Sequence, residues 1–177
     1  KIRCGHVIRP GRTWTKPFWP PSSSCTVSTL TFSPRISRKM PISAPSTSNR
    51  KRELVVAALQ ARGLPMAGLR KKPLTFAQGL LQAKSLDGFF GWVFGGDSFA
   101  RKKPDPMALL GTCDAMGVAP ERVLMVGDSD NDAQAARAAG CRVALVTYGY
   151  NHGQPVAAVP HDLLLDSLAE LAGRLPG

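Results

Sequence analysis

Acidic residues are missing from the first 52 positions of this 177-residue chain, and no aspartate occurs before Asp87. Apolar runs long enough to cross a bilayer are missing too: none approaches the roughly 18 residues that a spanning helix needs, which excludes an α-helical membrane protein. The four cysteines, at 4, 25, 113 and 141, show no C-x-x-C or metal-ligand spacing. A zinc site and a disulfide framework are therefore not expected, and a reducing cytoplasmic setting fits. Aromatic residues are few, at 7%, and are not spaced for base stacking.

The net charge of +11 invites a nucleic-acid reading, but its position argues against one. Residues 1–52 hold eleven Lys and Arg, whereas residues 53–177 hold twelve basic and twelve acidic residues. The imbalance belongs wholly to the first segment, and the second has the composition of an ordinary globular domain. The length suits one domain with a core of its own.

Residues 1–52 also differ in kind, with seven prolines, nine serines and six threonines. Pro17, Pro20 and Pro21 break any helix around Trp14 and Trp19. Residues 43–49 have the composition of a linker. Only Cys25 to Phe32 carries β-branched, strand-like content. Three readings stand side by side: a basic arm holding phosphates by charge, an organellar transit peptide, and a segment without selected structure. The third is preferred, and the segment is expected to be largely irregular and disordered. The chain begins with Lys1 rather than Met, so a truncated or artificial start is also an expectation.

From about residue 50 the pattern becomes regular. Asn49 is placed to cap a helix over Leu54 to Arg62 that Gly63 ends. Leu64 to Leu69 is a short apolar run. A second helix covers Leu74 to Lys84, with Phe76, Leu80 and Leu81 on one side. Trp92 to Phe94 is a buried-strand candidate. Asp105-Pro106 opens a helix that Gly117 closes. Val123 to Val126 is a continuous apolar strand, followed by the polar turn Gly127-Asp128-Ser129-Asp130-Asn131-Asp132 and an alanine-rich helix to Ala139. Val143 to Val146 and Leu163 to Leu165 are further strands, and Ser167 to Leu175 a last helix. Strands without polar alternation, alternating with helices, predict a parallel α/β sheet covered on both faces, a partial Rossmann-like fold.

Ligands of such sheets bind beyond the carboxyl ends of the strands, where Asp128, Ser129, Asp130 and Asp132 fall. Carboxylates crowded there repel one another unless a cation balances them, and hard oxygen donors suit Mg²⁺. A helix cap accounts for one of these side chains but not for all four. A calcium loop does not fit, because its sixth position would be Ala133 and its twelfth Ala139. Lys103, next to Pro104, is presented from a defined backbone position and suits anionic oxygens. The competing reading is a solvated charge run. His6, His152 and His161 have no identifiable partner.

Lys103-Pro104 followed by Gly127 to Asp132 resembles the third and fourth motifs of haloacid-dehalogenase-type phosphatases. The stretches KPLTFAQGLLQ, GGDSFARKKPDP, APERVLMVGDSDNDAQAARAAGC and VTYGYNHGQPV resemble bacterial phosphoglycolate phosphatases. The resemblance runs over residues 53–177 and no part of 1–52. It implies Mg²⁺-dependent hydrolysis of 2-phosphoglycolate: an aspartate attacks the phosphate, and a second aspartate two residues on protonates the leaving alcohol. It further implies that Asp128 is the metal ligand, that Asp132 steadies the site, and that Lys103 holds nucleophile and phosphate together. Ser129 and Lys72 would meet the substrate.

Two departures qualify this. The nucleophile motif D-x-D-G-T has no counterpart, nor has the helical cap that follows it. In the second motif, the aligned letters are Arg70-Lys71-Lys72, so arginine replaces the hydroxyl residue. Residues 1–52 stand where the family keeps its nucleophile strand and cap, as a degraded or out-of-frame replacement would. The expectation is a phosphatase remnant with little or no turnover and an incomplete sheet, Val123 to Val126 lying at an unpaired edge; the other reading is that Cys25 to Phe32, the only local substitute, fills the gap and restores the sheet but, having no carboxylate, not the chemistry. The alternatives are a non-catalytic Mg²⁺- or phosphate-binding remnant, and an interaction protein using the basic arm. The expected partner is a small phosphorylated substrate, with neither membrane nor nucleic acid; the oligomeric state is left open.

Overall fold

The computed structural model describes residues 27–30, 47–151 and 153–175, without the side chains of 27–30, 47–49 and 51. Six strands form one sheet: β1 (Val27–Leu30), β2 (Met66–Leu69), β3 (Trp92–Phe94), β4 (Val123–Gly127), β5 (Arg142–Val146) and β6 (Leu163–Leu165). Their spatial order is β3-β2-β1-β4-β5-β6. Every pairing is parallel. The carboxyl ends of all six strands therefore point the same way. The helices are α1 (Thr47–Ala61), α2 (Leu74–Ala83), α3 (Met107–Met116), α4 (Asp130–Ala139) and the short α5 (Leu171–Arg174).

Strand periodicity explains the two-sided core. In β4, Val123 and Met125 enter one apolar cluster with Leu109, Cys113 and the alanines of α4. Leu124 and Val126 enter a second, with Val56 and Leu59 of α1 and with Leu171. β5 divides the same way, with Val143 and Leu145 on the first side and Ala144 and Val146 on the second. Successive side chains of a strand point to opposite faces, so a strand covered on both faces needs apolar residues at every position. Each fully buried Leu or Val contributes about 1.5–3 kcal/mol. Cys113 and Cys141 are free thiols, 4.0 Å apart in the first cluster.

The chain's own local signals end the helices. Gly63, Gly117 and Gly140 have φ values of 71°, 67° and 80°. A side chain at such angles is disfavoured, which is why glycine closes each helix. Asp105 starts α3 by accepting a hydrogen bond from the Met107 N–H at 2.9 Å. Three local expectations are corrected. Asn49 lies inside α1 rather than capping it. In α2, Ala77 is buried while Phe76 is 58% exposed, because the stripe facing the sheet runs through Ala77 and Leu81, one helical step away from Phe76. The last helical stretch is a 3₁₀ turn, Leu168–Glu170, before α5, and Ser167 and Glu170 form a capping box at its start.

The largest correction concerns the centre of the sheet. β4 is not an edge. Thr29 stands opposite Met125, and Leu30 opposite Val126. On its other side β1 pairs with β2, Thr29 opposite Ala67. The candidate strand within residues 25–32 thus fills the gap between β2 and β4. A gap bordered by two paired-length apolar strands offers unsatisfied N–H and C=O groups on both sides, and a β-branched segment satisfies them. The expectations for the rest of residues 1–46 lie outside the described residues. Among the described residues, no helix is long and apolar enough to cross a membrane.

Because β1 is paired on both sides, an N–H within it faces a partner strand whichever way it points. Thr29→Pro removes one ladder donor and is expected to lower the urea midpoint of unfolding. An unchanged midpoint would show that β1 contributes nothing to the folded sheet.

Candidate active site

Three chain segments converge at the carboxyl ends of the central strands. The turn after β4 carries Asp128 and Ser129 and the first turn of α4 carries Asp132, the loop before α3 carries Lys103, and β2 ends in Leu69 with Arg70 directly after it. Asp132 is the centre of the group. Its Oδ1 lies 2.7 Å from Lys103 Nζ, and the two side chains are 4% and 5% exposed. Its Oδ2 accepts from the backbone N–H of Asp128 at 3.1 Å and from the hydroxyl of Ser129 at 3.2 Å. Lys103 Nζ also reaches the carbonyl of Leu69 at 3.4 Å.

Glycine makes this packing possible at two positions. A Cβ on Gly127 would occupy the place of the Asp132 side chain, and one on Gly149 would run into the backbone of Asp128. A further tie comes from the loop after β5, where Asn151 Oδ1 accepts from the Asp130 N–H at 2.8 Å. Asn151 is buried. Gly149 and Asn151 belong to the stretch VTYGYNHGQPV, in which the sequence singles out no site residue. A glycine three residues and an asparagine five residues after a strand end were the signal available.

The electrostatics follow from burial. Desolvation alone would raise the Asp132 carboxyl, but the Lys103 ammonium and the hydrogen bonds to it outweigh that and hold the group below the usual carboxylate range. Desolvation also pulls Lys103 below its ordinary value, against the attraction of Asp132 and Asp128. Burial likewise lowers Arg70, and the Asp128 carboxylate opposes the shift.

Four of the five candidate residues, Lys103, Asp128, Ser129 and Asp132, therefore come together. Lys72 is exposed on the loop after β2, and its contact among the described residues is through its carbonyl, which accepts from the Gly96 N–H at 2.7 Å. In its place the structure brings Arg70 and Lys71 to the site. Arg70 acts on Asp128, and Lys71 on Lys103. The sequence reading treated Arg70 only as a lost hydroxyl and missed the charge that it adds.

The donor set can be tested against Mg²⁺, which asks for hard oxygen ligands in near-octahedral array. Asp132 is committed to Lys103 and two further donors. Asp130 accepts from the Gln134 side chain. Asp128 has the Arg70 charge near it. Among the described residues, no group of three or more His, Cys, Asp and Glu is placed to hold a metal. These residues do not by themselves fit a Mg²⁺ site.

Comparison with known proteins gives a consistent picture. A family model described as haloacid dehalogenase-like hydrolase matches residues 43–140. Phosphoglycolate phosphatase of Thiobacillus denitrificans is 47% identical over 115 residues, which is 65% of this chain and 51% of that protein. Phosphoglycolate phosphatase of Escherichia coli is 44% identical over 116 residues, 66% of this chain and 46% of that protein. The crystal structure of a predicted phosphoglycolate phosphatase from Haemophilus somnus superposes with a TM-score of 0.67 at 36% identity, over 68% of this chain and 54% of that one. The chain spans about half the length of the curated relatives it matches.

Removing one partner of a buried ion pair strands the other, so Lys103→Met is expected to cost about 3–5 kcal/mol of stability. The double variant Lys103→Met/Asp132→Asn should recover part of that loss, which denaturant unfolding will measure. The pH dependence has a definite sign. Asp132 is lowered in the folded state, so its contribution is fully present above the unfolded value of about 3.9 and is lost as pH falls through the lower folded value. The acid limb of stability should shrink in Asp132→Asn.

Proposed function

The chain belongs to the haloacid dehalogenase-like hydrolases, and from that premise we propose that, taken by itself, it is a phosphoglycolate-phosphatase-like unit that recognises a phosphomonoester but turns it over little or not at all. The observation that carries this reading is the identity of β1. It runs beside β4 with Leu30 opposite Val126, so its carboxyl end is level with the turn that holds Asp128 and Asp132. From Val27 to Phe32 the chain supplies Val, Ser, Thr, Leu, Thr and Phe, and no carboxylate. Covalent phosphoryl transfer needs an attacking group at that place.

The remaining residues support binding. Lys103 presents an ammonium at the carboxyl ends of β2 and β4, where it neutralises anionic oxygens. Asp132 positions that ammonium, and is itself aimed by the Asp128 N–H and the Ser129 hydroxyl. By resemblance, Ser129 takes part in holding the substrate; Lys72, which the resemblance also assigns to it, stands apart from the group on the loop after β2. Phosphatases of this family generally use Mg²⁺, and the resemblance assigns it to Asp128. With the donor set described above, the ion's hold on this chain is weak.

Magnitudes favour inactivity. When a covalent catalyst loses its nucleophile, binding and electrostatics leave a residual acceleration of roughly 10³–10⁴. Uncatalysed phosphomonoester hydrolysis is among the slowest reactions known, with enzymatic accelerations reaching about 10²¹, so such a remainder is invisible in a steady-state assay. With Mg²⁺ and 2-phosphoglycolate, phosphate release by the purified chain is expected to match the enzyme-free control. Robust release that Asp128→Asn abolishes would overturn the reading and point to a different attacking carboxylate.

A further inference from the structure

The cleft between the carboxyl ends of β2 and β3 is lined by Arg70, Lys71, Arg101, Lys102 and Lys103, and no carboxylate is among its lining residues. Two loops build it and are stitched together. Arg70 N–H donates to Phe94 O at 3.0 Å and Gly96 N–H to Lys72 O at 2.7 Å. Leu74 N–H donates to Asp97 Oδ1 at 2.8 Å, and Gly95 N–H to Ser98 Oγ at 2.9 Å. A Cβ on Gly96 would collide with the carbonyl of Lys71, so the loops are in close backbone contact. These bonds fix the backbone positions from which the cationic side chains project.

The charges in and beside this cleft are unevenly balanced. Lys103 is matched by Asp132 and Arg101 by Asp105. Arg70 directly follows β2 and Asp128 directly follows β4, at the same end of the sheet with only β1 between them, and their opposite charges attract. Lys71 and Lys102 form no ion pair among the described residues, and the Lys71 charge works against that of Lys103. A dication brought to Asp128 would meet Arg70 and Lys103, charges of its own sign. A tetrahedral dianion would relieve the repulsion between Lys71 and Lys103.

We propose that Arg70 takes over the charge-balancing part that a divalent cation would play beside Asp128, so that the cleft of Arg70, Lys71 and Lys102 binds a phosphate group without metal. A guanidinium offers paired N–H donors that match phosphate oxygens, with a fixed charge that cannot dissociate as an ion does. The inference deepens the reading of a phosphate-recognising chain without turnover and rests on it. Its test uses inorganic phosphate, whose binding is measured whether or not 2-phosphoglycolate is hydrolysed.

Phosphate is titrated calorimetrically into the full chain, once in EDTA and once in Mg²⁺, for the parent and for Arg70→Ala, Asp128→Asn and Arg142→Ala. Arg142, exposed at the amino end of β5, is the charge-loss control. The expected result is equal binding in EDTA and Mg²⁺, weakened on the order of ten- to a hundredfold by Arg70→Ala, the loss of a charge-assisted hydrogen bond. Arg142→Ala should leave binding unchanged. Asp128→Asn should tighten it by releasing Arg70 from its counter-charge, the opposite of what a metal-bridged site would show. Binding that requires Mg²⁺, that Asp128→Asn abolishes, that is indifferent to Arg70→Ala, or that is absent altogether overturns the proposal. Thermal unfolding of each variant separates loss of binding from loss of fold.

Discussion

A single buried carboxylate organises the carboxyl-end face of this sheet. Asp132 receives the Lys103 ammonium on one oxygen, and the Asp128 N–H and the Ser129 hydroxyl on the other. Through Lys103 and its bond to Leu69 O, the same group reaches the end of β2. The turn after β4, the loop before α3 and the end of β2 thus share one electrostatic anchor. A buried ion pair adds little net stability, because desolvating two charges offsets most of their attraction. What it contributes is register: with one partner missing, the other is left as an unpaired charge in an apolar surround, so alternative arrangements of the three segments are excluded.

The centre of the sheet shows that structural and chemical requirements at one place are separable. Between β2 and β4 the fold needs a backbone with strand dihedrals and N–H and C=O groups on both edges, and β1 supplies them. Backbone pairing there makes no demand for a carboxylate. The covalent chemistry considered under the proposed function asks instead for an attacking group beyond the strand's end, and the Val27 to Phe32 segment has no carboxylate. β1 thus completes the sheet with a segment whose sequence carries no carboxylate.

Charges of both signs gather around the turn after β4 and the end of β2. Two carboxylates, Asp128 and Asp132, face Lys103 and Arg70, with Lys71 and Lys102 close by. On the metal-free reading proposed above, these guanidinium and ammonium groups balance the carboxylates in place of a dication. Arg70 matters most here, because its charge is permanent and its position is set by the Phe94 carbonyl that its backbone N–H donates to.

Much was legible in the linear sequence. The apolar runs at 92–94, 123–126, 143–146 and 163–165 became strands within a residue of their expected bounds, because fully buried parallel strands carry no polar positions to blur them. Glycines 63, 117 and 140 marked helix ends, because left-handed backbone angles leave little choice of residue. The grouping of Asp128, Ser129 and Asp132 was implicit in their spacing on one turn. Other features depended on distance in space alone. Residues 27–30 joined the centre of the sheet because an unoccupied position between β2 and β4 exists only once the other strands are assembled. Phe76 turned outward because the stripe that faces the sheet is chosen by what it packs against. Arg70 acquired a role because a residue 58 positions before Asp128 in the chain stands two strands away from it in the sheet. Local sequence determined which segments are strands, helices and turns, since dihedral preference and periodicity act over a few residues. Only the tertiary structure decided which charges meet, since Coulomb interactions depend on separation in space and on the exclusion of water, and neither is written in chain order.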